Sequence, residues 1–227
     1  MNPQGPDKIP YTDFTWNPCT GCKHGCSYCY ARPIANRIYK ERFEPTFRPE
    51  RLKEPFEVTK PSKIFVCDMG DLFGEWMEEE VVDKILDVTR RCTQHTFQFL
   101  SKNPDYYGWW FGDKKWLGTT LTFDAALHDK EAQRLFMLSQ CEQDGVYWVS
   151  AEPLLGDPMT IVDEYKEDAS RVDMWVIGEQ TGRRYTPAQL QEVTDWARDL
   201  IGWAHARSHK VFVKNGLKGV FPIAELP

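Results

Sequence analysis

Nearly continuous apolar, β-branched or aromatic runs recur along the chain: YTDFTW (11–16), KIFVC (63–67), TFQFL (96–100), LGTTL (117–121), VYWVS (146–150), MWVIG (174–178) and KVFVK (210–214). Short runs that do not alternate with polar residues predict strands buried on both faces. Between them the apolar positions take helical spacing. EEEVVDKILDVTRRC (78–92) sets Val81, Ile85 and Val88 on one face, with acids at its start and arginines at its end, as the helix dipole favours. DKEAQRLFMLSQC (129–141) and the segment 186–207 read the same way, the latter with Thr186 as N-cap and Pro187 at the first helical position. Strand and helix in repetition imply a parallel α/β arrangement. Seven strands in 227 residues predict a compact or partial (β/α) TIM-type barrel of about six to seven parallel strands. No repeat, low-complexity tract or Gly/Ser linker divides the chain, so 1–227 reads as a single domain.

Polar residues follow the apolar runs directly: Asp68 and Asp71, Lys102, Thr122, Glu152, Glu179, and Lys214 with Asn215. In a parallel barrel these carboxyl ends share the face where catalytic groups converge. Residues 17–32, which follow the first run, belong to the same face. Glu152 and Lys214 are the foremost candidates for contacts to a cofactor or substrate, followed by Lys102 and Glu179. Each also reads as a salt-bridge partner at a barrel mouth.

Composition narrows the classes. A hydrophobic fraction of 41% supports a sizeable core without stapling. The opening MNPQGPDKIP has neither a basic n-region nor an apolar h-region, and no apolar run is long enough to span a membrane, so the expectation is a cytoplasmic protein with no membrane association. A net charge of −6 argues against a general nucleic-acid coat, although a local basic groove is compatible with it.

Seven cysteines are an odd number, and four of them, Cys19, Cys22, Cys26 and Cys29, fall within the stretch CTGCKHGCSYC (19–29). That is too tight for a disulfide framework and suits metal or redox use in a reducing compartment. Taken with all four ligands, C-x2-C-x3-C-x2-C describes either a closed iron–sulfur cluster or a zinc site, though zinc modules place a longer loop between the two pairs. Cys67, Cys92 and Cys141 lie in apolar contexts and read as small buried hydrophobes.

Cys22, Cys26 and Cys29, with aromatic Tyr28 before the last of them, form the C-x3-C-x2-C loop, and on it the chain resembles the radical S-adenosylmethionine (SAM) superfamily. The resemblance implies that these three thiolates hold a [4Fe-4S] cluster whose fourth iron binds SAM, with Tyr28 beside the cofactors and Cys19 outside the ligand set. It places DMGD (68–71) where the superfamily contacts the SAM amino group, which makes Asp68, Gly70 and Asp71 cofactor-binding candidates. The chain departs from the usual pattern there in having one glycine. VIGEQTG (176–182) is similar to the late-strand motif flanking the adenine, with Gly178 and Glu179 as its candidates. The order of TWNPCTGCKHGCSYCYAR, FVCDMGDLFGEW, FLSKNPDYY, SAEPLLG, WVIGEQTG and FVKNGLKG is also similar to a short radical-SAM-like family encoded by phages, bacteria and archaea, itself distantly similar to spore photoproduct lyase.

The implied activity is reductive cleavage of SAM to a 5′-deoxyadenosyl radical and hydrogen abstraction from a substrate, with a one-electron donor such as flavodoxin or ferredoxin as partner. Glu152, Lys214 and Lys102 are the catalytic candidates. NPDYYGWWFGDKKW (103–116) offers aromatics beside lysines, which suits stacking on a nucleobase or nucleic acid and equally suits a segment burying its aromatics in the core. The alternatives are a radical SAM enzyme acting on a peptide or small metabolite, and a non-enzymatic iron–sulfur or zinc protein with four cysteine ligands.

Overall fold

The computed structural model describes residues 1–227 apart from Asp7, Trp110 and the side chain of Asn215. Each of the seven apolar runs becomes a strand: β2 (Phe14–Trp16), β5 (Lys63–Val66), β6 (Thr96–Ser101), β7 (Lys115–Thr120), β8 (Val146–Ala151), β9 (Met174–Ile177) and β10 (Lys210–Val213). Three two-residue strands carry no legible pattern: β1 (Asn2–Pro3), β3 (Cys19–Thr20) and β4 (Thr46–Phe47). The predicted helices are α2 (Glu79–Arg91), α3 (His128–Ser139) and α6 (Pro187–His205). The short helices α1 (Ala31–Ile38), α4 (Met159–Val162), α5 (Lys166–Ala169) and α7 (Asn215–Lys218) complete the set among the described residues.

Contacts divide the chain into two compact units, residues 1–117 with 143–145, and residues 118–142 with 146–227. In the first, β2, β5 and β6 are parallel neighbours, Phe14 facing Ile64 and Ile64 facing Phe97. The antiparallel β1 covers the outer side of β2. The ribbon β3–β4 stands apart from this sheet. In the second, β8, β9 and β10 are parallel, with Val149, Trp175 and Val211 in register.

The strand order is β1-β2-β5-β6-β7-β8-β9-β10, an open series rather than a closed barrel. β1 runs antiparallel against β2, and the free side of β10 is occupied by an antiparallel strip in which Val213 N–H donates to the Ile223 carbonyl and Glu225 N–H to that of Val211. Short antiparallel strips of this kind cover the outer sides of β2 and β10.

The core follows from residue size. Trp16, Trp148 and Trp175 are completely buried, and Trp148 packs over Gly118, where a Cβ would lie 2.4 Å from the indole nitrogen. The segment 103–116 contributes to the core of the first unit. It opens as a 3₁₀ turn at Pro104–Gly108, and Tyr107 and Phe111 pack edge-on or tilted against Phe73. With Trp116 also buried, those rings are not a stacking platform, and Trp110 lies outside the described residues. Among the described residues no helix is long and apolar enough to cross a membrane.

Candidate metal and cofactor site

In the first unit the site begins where β2 ends. Asn17, buried, donates its amide to Asp68 Oδ1 (2.6 Å) and accepts from the Met69 N–H (3.0 Å). One side chain thereby joins the start of the cysteine loop to the loop after β5. Gly21 N–H donates to the Met69 carbonyl (2.9 Å), and Gly21 bridges to Gly70. The approach is close enough that a Cβ on Gly70 would lie 2.8 Å from the Gly21 oxygen. Gly21 itself has φ +87°, a conformation that side chains disfavour. The glycine expected to contact SAM is therefore packed on the cysteine loop through its backbone.

Beyond Gly21 the loop carries the three half-exposed thiols. Cys22 and Cys29 rest on a small apolar cluster of Ala31, Ala35, Phe43 and Met69. The His24 N–H donates to Cys22 Sγ (3.5 Å), and the Cys29 N–H to the Cys26 carbonyl (3.4 Å). Burial pushes the Cys22 thiol up to about 12; the His24 N–H opposes this, while Asp71, Cys26 and Cys29 add to it. Cys19 is buried in β3 and engages the fully buried Cys67, whose thiol is raised by burial and then by this contact.

Around the thiols the predicted residues separate into two small networks. Asp68 is held by Asn17, and burial raises its carboxyl above the usual range against that hydrogen bond. The Tyr30 hydroxyl donates to the Asp68 carbonyl (2.7 Å). Asp71 lies deeper. Its Oδ1 accepts from Ser101 Oγ (2.7 Å) and the Phe73 N–H (3.1 Å), and its Oδ2 from His24 Nε2 (2.8 Å) and the Lys102 N–H (3.0 Å). Burial alone would raise this carboxyl, but the bonds from His24, Lys102 and Ser101 outweigh it and hold the group ionised. Lys102 sends its Nζ to the Tyr28 hydroxyl (3.0 Å) and sits 5.5 Å from the ring centre.

In the second unit the carboxyl ends of β8, β9 and β10 meet. Lys214 Nζ bridges both oxygens of Glu152 (2.7 and 2.9 Å), and a Cβ on Gly178 would touch the Glu152 side chain at 3.3 Å. Glu179 lies against Gly216, where any side chain would collide with its carboxylate. Among the described residues no hydrogen bond or ion pair is made by that carboxylate.

The donor set can be tested against the group it is expected to hold. Among the described residues no three His, Cys, Asp or Glu side chains converge on one point as a single metal ion requires. A cubane distributes one thiolate to each of several irons around its own volume, so three thiols spread along one loop suit it without such convergence. Burial first, and Asp71, Cys26 and Cys29 after it, disfavour ionisation of the Cys22 thiol, which the positive charge of irons would relieve. Cys19 is engaged by Cys67, away from the loop positions of the other three. The residues fit three ligands to an iron–sulfur cluster.

Sequence reasoning passed over His24, Asn17 and Ser101. His24 stands inside the C-x3-C spacing, and Asn17 follows an apolar run, as Asp68, Lys102 and Glu152 do.

A parallel α/β fold with a three-cysteine loop at a strand end is the class of protein this defines, and solved structures share the fold. A spore photoproduct lyase complexed with dinucleoside spore photoproduct superposes with a TM-score of 0.58 at 10% identity, over 96% of this chain and 76% of that one. A spore photoproduct lyase carrying a single tyrosine-to-phenylalanine substitution gives 0.62 at 9% identity, over 92% and 78%. A doubly substituted spore photoproduct lyase with bound AdoMet and dinucleoside spore photoproduct gives 0.53 at 9% identity, over 91% and 73%. No curated protein matches the sequence. Residues 6–218 match the family described as "Protein of unknown function (DUF5131)", and the chain belongs to that family.

Proposed function

We propose that the chain is a radical SAM enzyme in which Cys22, Cys26 and Cys29 hold a [4Fe-4S] cluster and the substrate is a nucleobase or nucleic acid. The observation that carries this is the half-exposed C-x3-C-x2-C thiol set, with Cys19 buried apart from it, at a strand end of a fold shared with spore photoproduct lyase. When bound and supplied with one electron by a donor of the flavodoxin or ferredoxin kind, the cofactors supply cleavage of the SAM sulfonium to methionine and a 5′-deoxyadenosyl radical, which takes a hydrogen atom from the substrate. The family match runs through both compact units, which supports reading 1–227 as one domain.

The chain's own part is geometry and charge. Tyr28, fixed by Lys102, lines the cysteine loop. Asp68, fixed by Asn17, and the backbone at Gly70 are the groups offered to the SAM amino end. Gly178 and Glu179 are assigned to the adenosine. Glu152 and Lys214 are assigned to substrate as a neutralised pair that orients polar groups without adding net charge. The nucleic-acid reading draws on the dinucleoside photoproduct bound by the neighbouring structures. With Tyr107, Phe111 and Trp116 in the core and a net charge of −6, a short oligonucleotide or nucleotide suits this chain better than a long tract of duplex.

Anaerobic reconstitution with iron and sulfide, dithionite reduction and chromatography for 5′-deoxyadenosine test the proposal. The parent and Cys19→Ala proteins are expected to form it, and Cys26→Ala is expected to form none. Tight metal binding without SAM cleavage, lost on Cys19→Ala, would instead establish a four-cysteine binding protein.

A further inference from the structure

His24 sits in the middle of the C-x3-C spacing, and its ring does not point to solvent. Nε2 lies 2.8 Å from Asp71 Oδ2, and the ring meets the Trp76 indole edge-on, with centres 4.9 Å apart. Trp76 in turn lies on Gly74, where a Cβ would fall 2.2 Å from the six-membered ring, so glycine is what lets the indole reach this place. A carboxylate oxygen only accepts, so the 2.8 Å contact is a hydrogen bond in the ring form that carries N–H at Nε2.

The four hydrogen bonds to Asp71 use the acceptor capacity of a carboxylate. It therefore has little left for an external ammonium group, the role expected from its place in DMGD. Two of its donors, Ser101 and the Lys102 N–H, stand at the end of β6; one, the Phe73 N–H, in the loop after β5; and one, His24, in the cysteine loop. The carboxylate thus ties the loop to the ends of two adjacent strands.

We infer that His24 is a positioning residue, which through its bond to Asp71 and its contact with Trp76 holds the Cys22–Cys26 arm of the loop in the shape that receives the cluster. The inference rests on the proposed function for the identity of the cluster, but not for the shape of the loop. Its mechanical basis is local. The His24 N–H already engages Cys22 Sγ, and Gly25, at φ +73°, gives the next residue no rigidity of its own. Without the ring anchor, the long bond from the His24 N–H to Cys22 Sγ is left to hold this arm of the loop.

The test compares His24→Ala with His24→Gln, because glutamine places an amide N–H at the same reach as Nε2. In the metal-free proteins, alkylation of Cys22 and Cys26 by iodoacetamide is followed by mass spectrometry, with circular dichroism as the control for folding. After anaerobic reconstitution, iron per chain and the electron paramagnetic resonance spectrum of the reduced protein are recorded. His24→Ala is expected to keep the parent's circular dichroism and to alkylate Cys22 at least about tenfold faster, the ratio set by losing one charge-assisted hydrogen bond. It is expected to retain less iron with an altered spectrum, and His24→Gln to restore both readouts. Parent-like alkylation and spectrum in His24→Ala overturn the inference. So does a folded His24→Gln no better than the alanine variant, or an alanine variant that does not fold. If the parent takes up no iron, the cluster reading fails while the alkylation comparison still decides the positioning role.

Discussion

Glu131 shows how much one side chain can hold. It is completely buried on α3, and its carboxylate accepts from the Thr122 N–H (2.8 and 2.9 Å), the Thr122 hydroxyl (2.7 Å) and the Phe123 N–H (2.7 Å). These bonds fix the turn after β7, where Phe123 has φ +58°. Glu131→Ala leaves several buried donors unpaired and is expected to cost about 3 kcal/mol, read as a melting temperature lower by roughly 6–12 °C. Glu131→Gln, which keeps one acceptor oxygen, is expected to lose less. The sequence carried a usable signal: Glu131 shares a helical face with Leu135 and Leu138, and an acid on an apolar stripe implies buried donors to satisfy. His24 and Asn17 were less legible because their roles depend on Asp71 and Asp68, more than 45 positions away. The three thiols, by contrast, announce themselves by spacing alone, since their partners are one another.

At the scale of elements, what could be read depended on length. Strands of three or more residues bury continuous apolar runs, and α2, α3 and α6 bury one face each, so periodicity finds them. β1, β3 and β4, at two residues, are defined by what they pair with and have no periodicity to show. α6 was legible to its first residue. Thr186 accepts from the Gln189 N–H (3.3 Å) while the Gln189 side chain accepts from the Thr186 N–H (3.1 Å), a reciprocal cap ahead of Pro187. Thr186→Ala is expected to cost about 1 kcal/mol, seen as a small drop in the denaturant midpoint with unchanged slope, and Thr186→Ser to be close to neutral. α1 has apolar residues at helical spacing, Ala31, Ile34, Ala35 and Ile38, but it is only eight residues long, too short for that spacing to stand out.

At the scale of the whole molecule, parallel α/β architecture followed from the alternation of elements, while the antiparallel strips beside β2 and β10 did not, because they are too short and irregular to be seen in sequence. Stability as a function of pH also belongs here. His209, buried, accepts from Trp175 Nε1 (3.1 Å), and burial lowers its folded value below the ordinary 6.5, with Arg207 acting the same way and Asp173 and a Ser170 backbone contact opposing. The unfolded chain therefore takes up the proton first, so this contribution is complete above pH 6.5 and lost as pH falls through the folded value. Urea midpoints at about pH 7.5 and about pH 5.5 should differ in the parent, and the difference should shrink in His209→Gln, whose amide oxygen still accepts from Trp175.

The contact between Gly21 and Gly70 has a further consequence. Neither residue has room for a side chain: Gly70 is closed off by the Gly21 oxygen, and Gly21 by the Glu44 oxygen. Because the obstruction on each side is backbone, enlarging one partner cannot be repaired by shrinking the other. The cysteine loop and the loop after β5 can thus change only together, as one inherited unit, and a graft that moves the thiols to another scaffold must carry both.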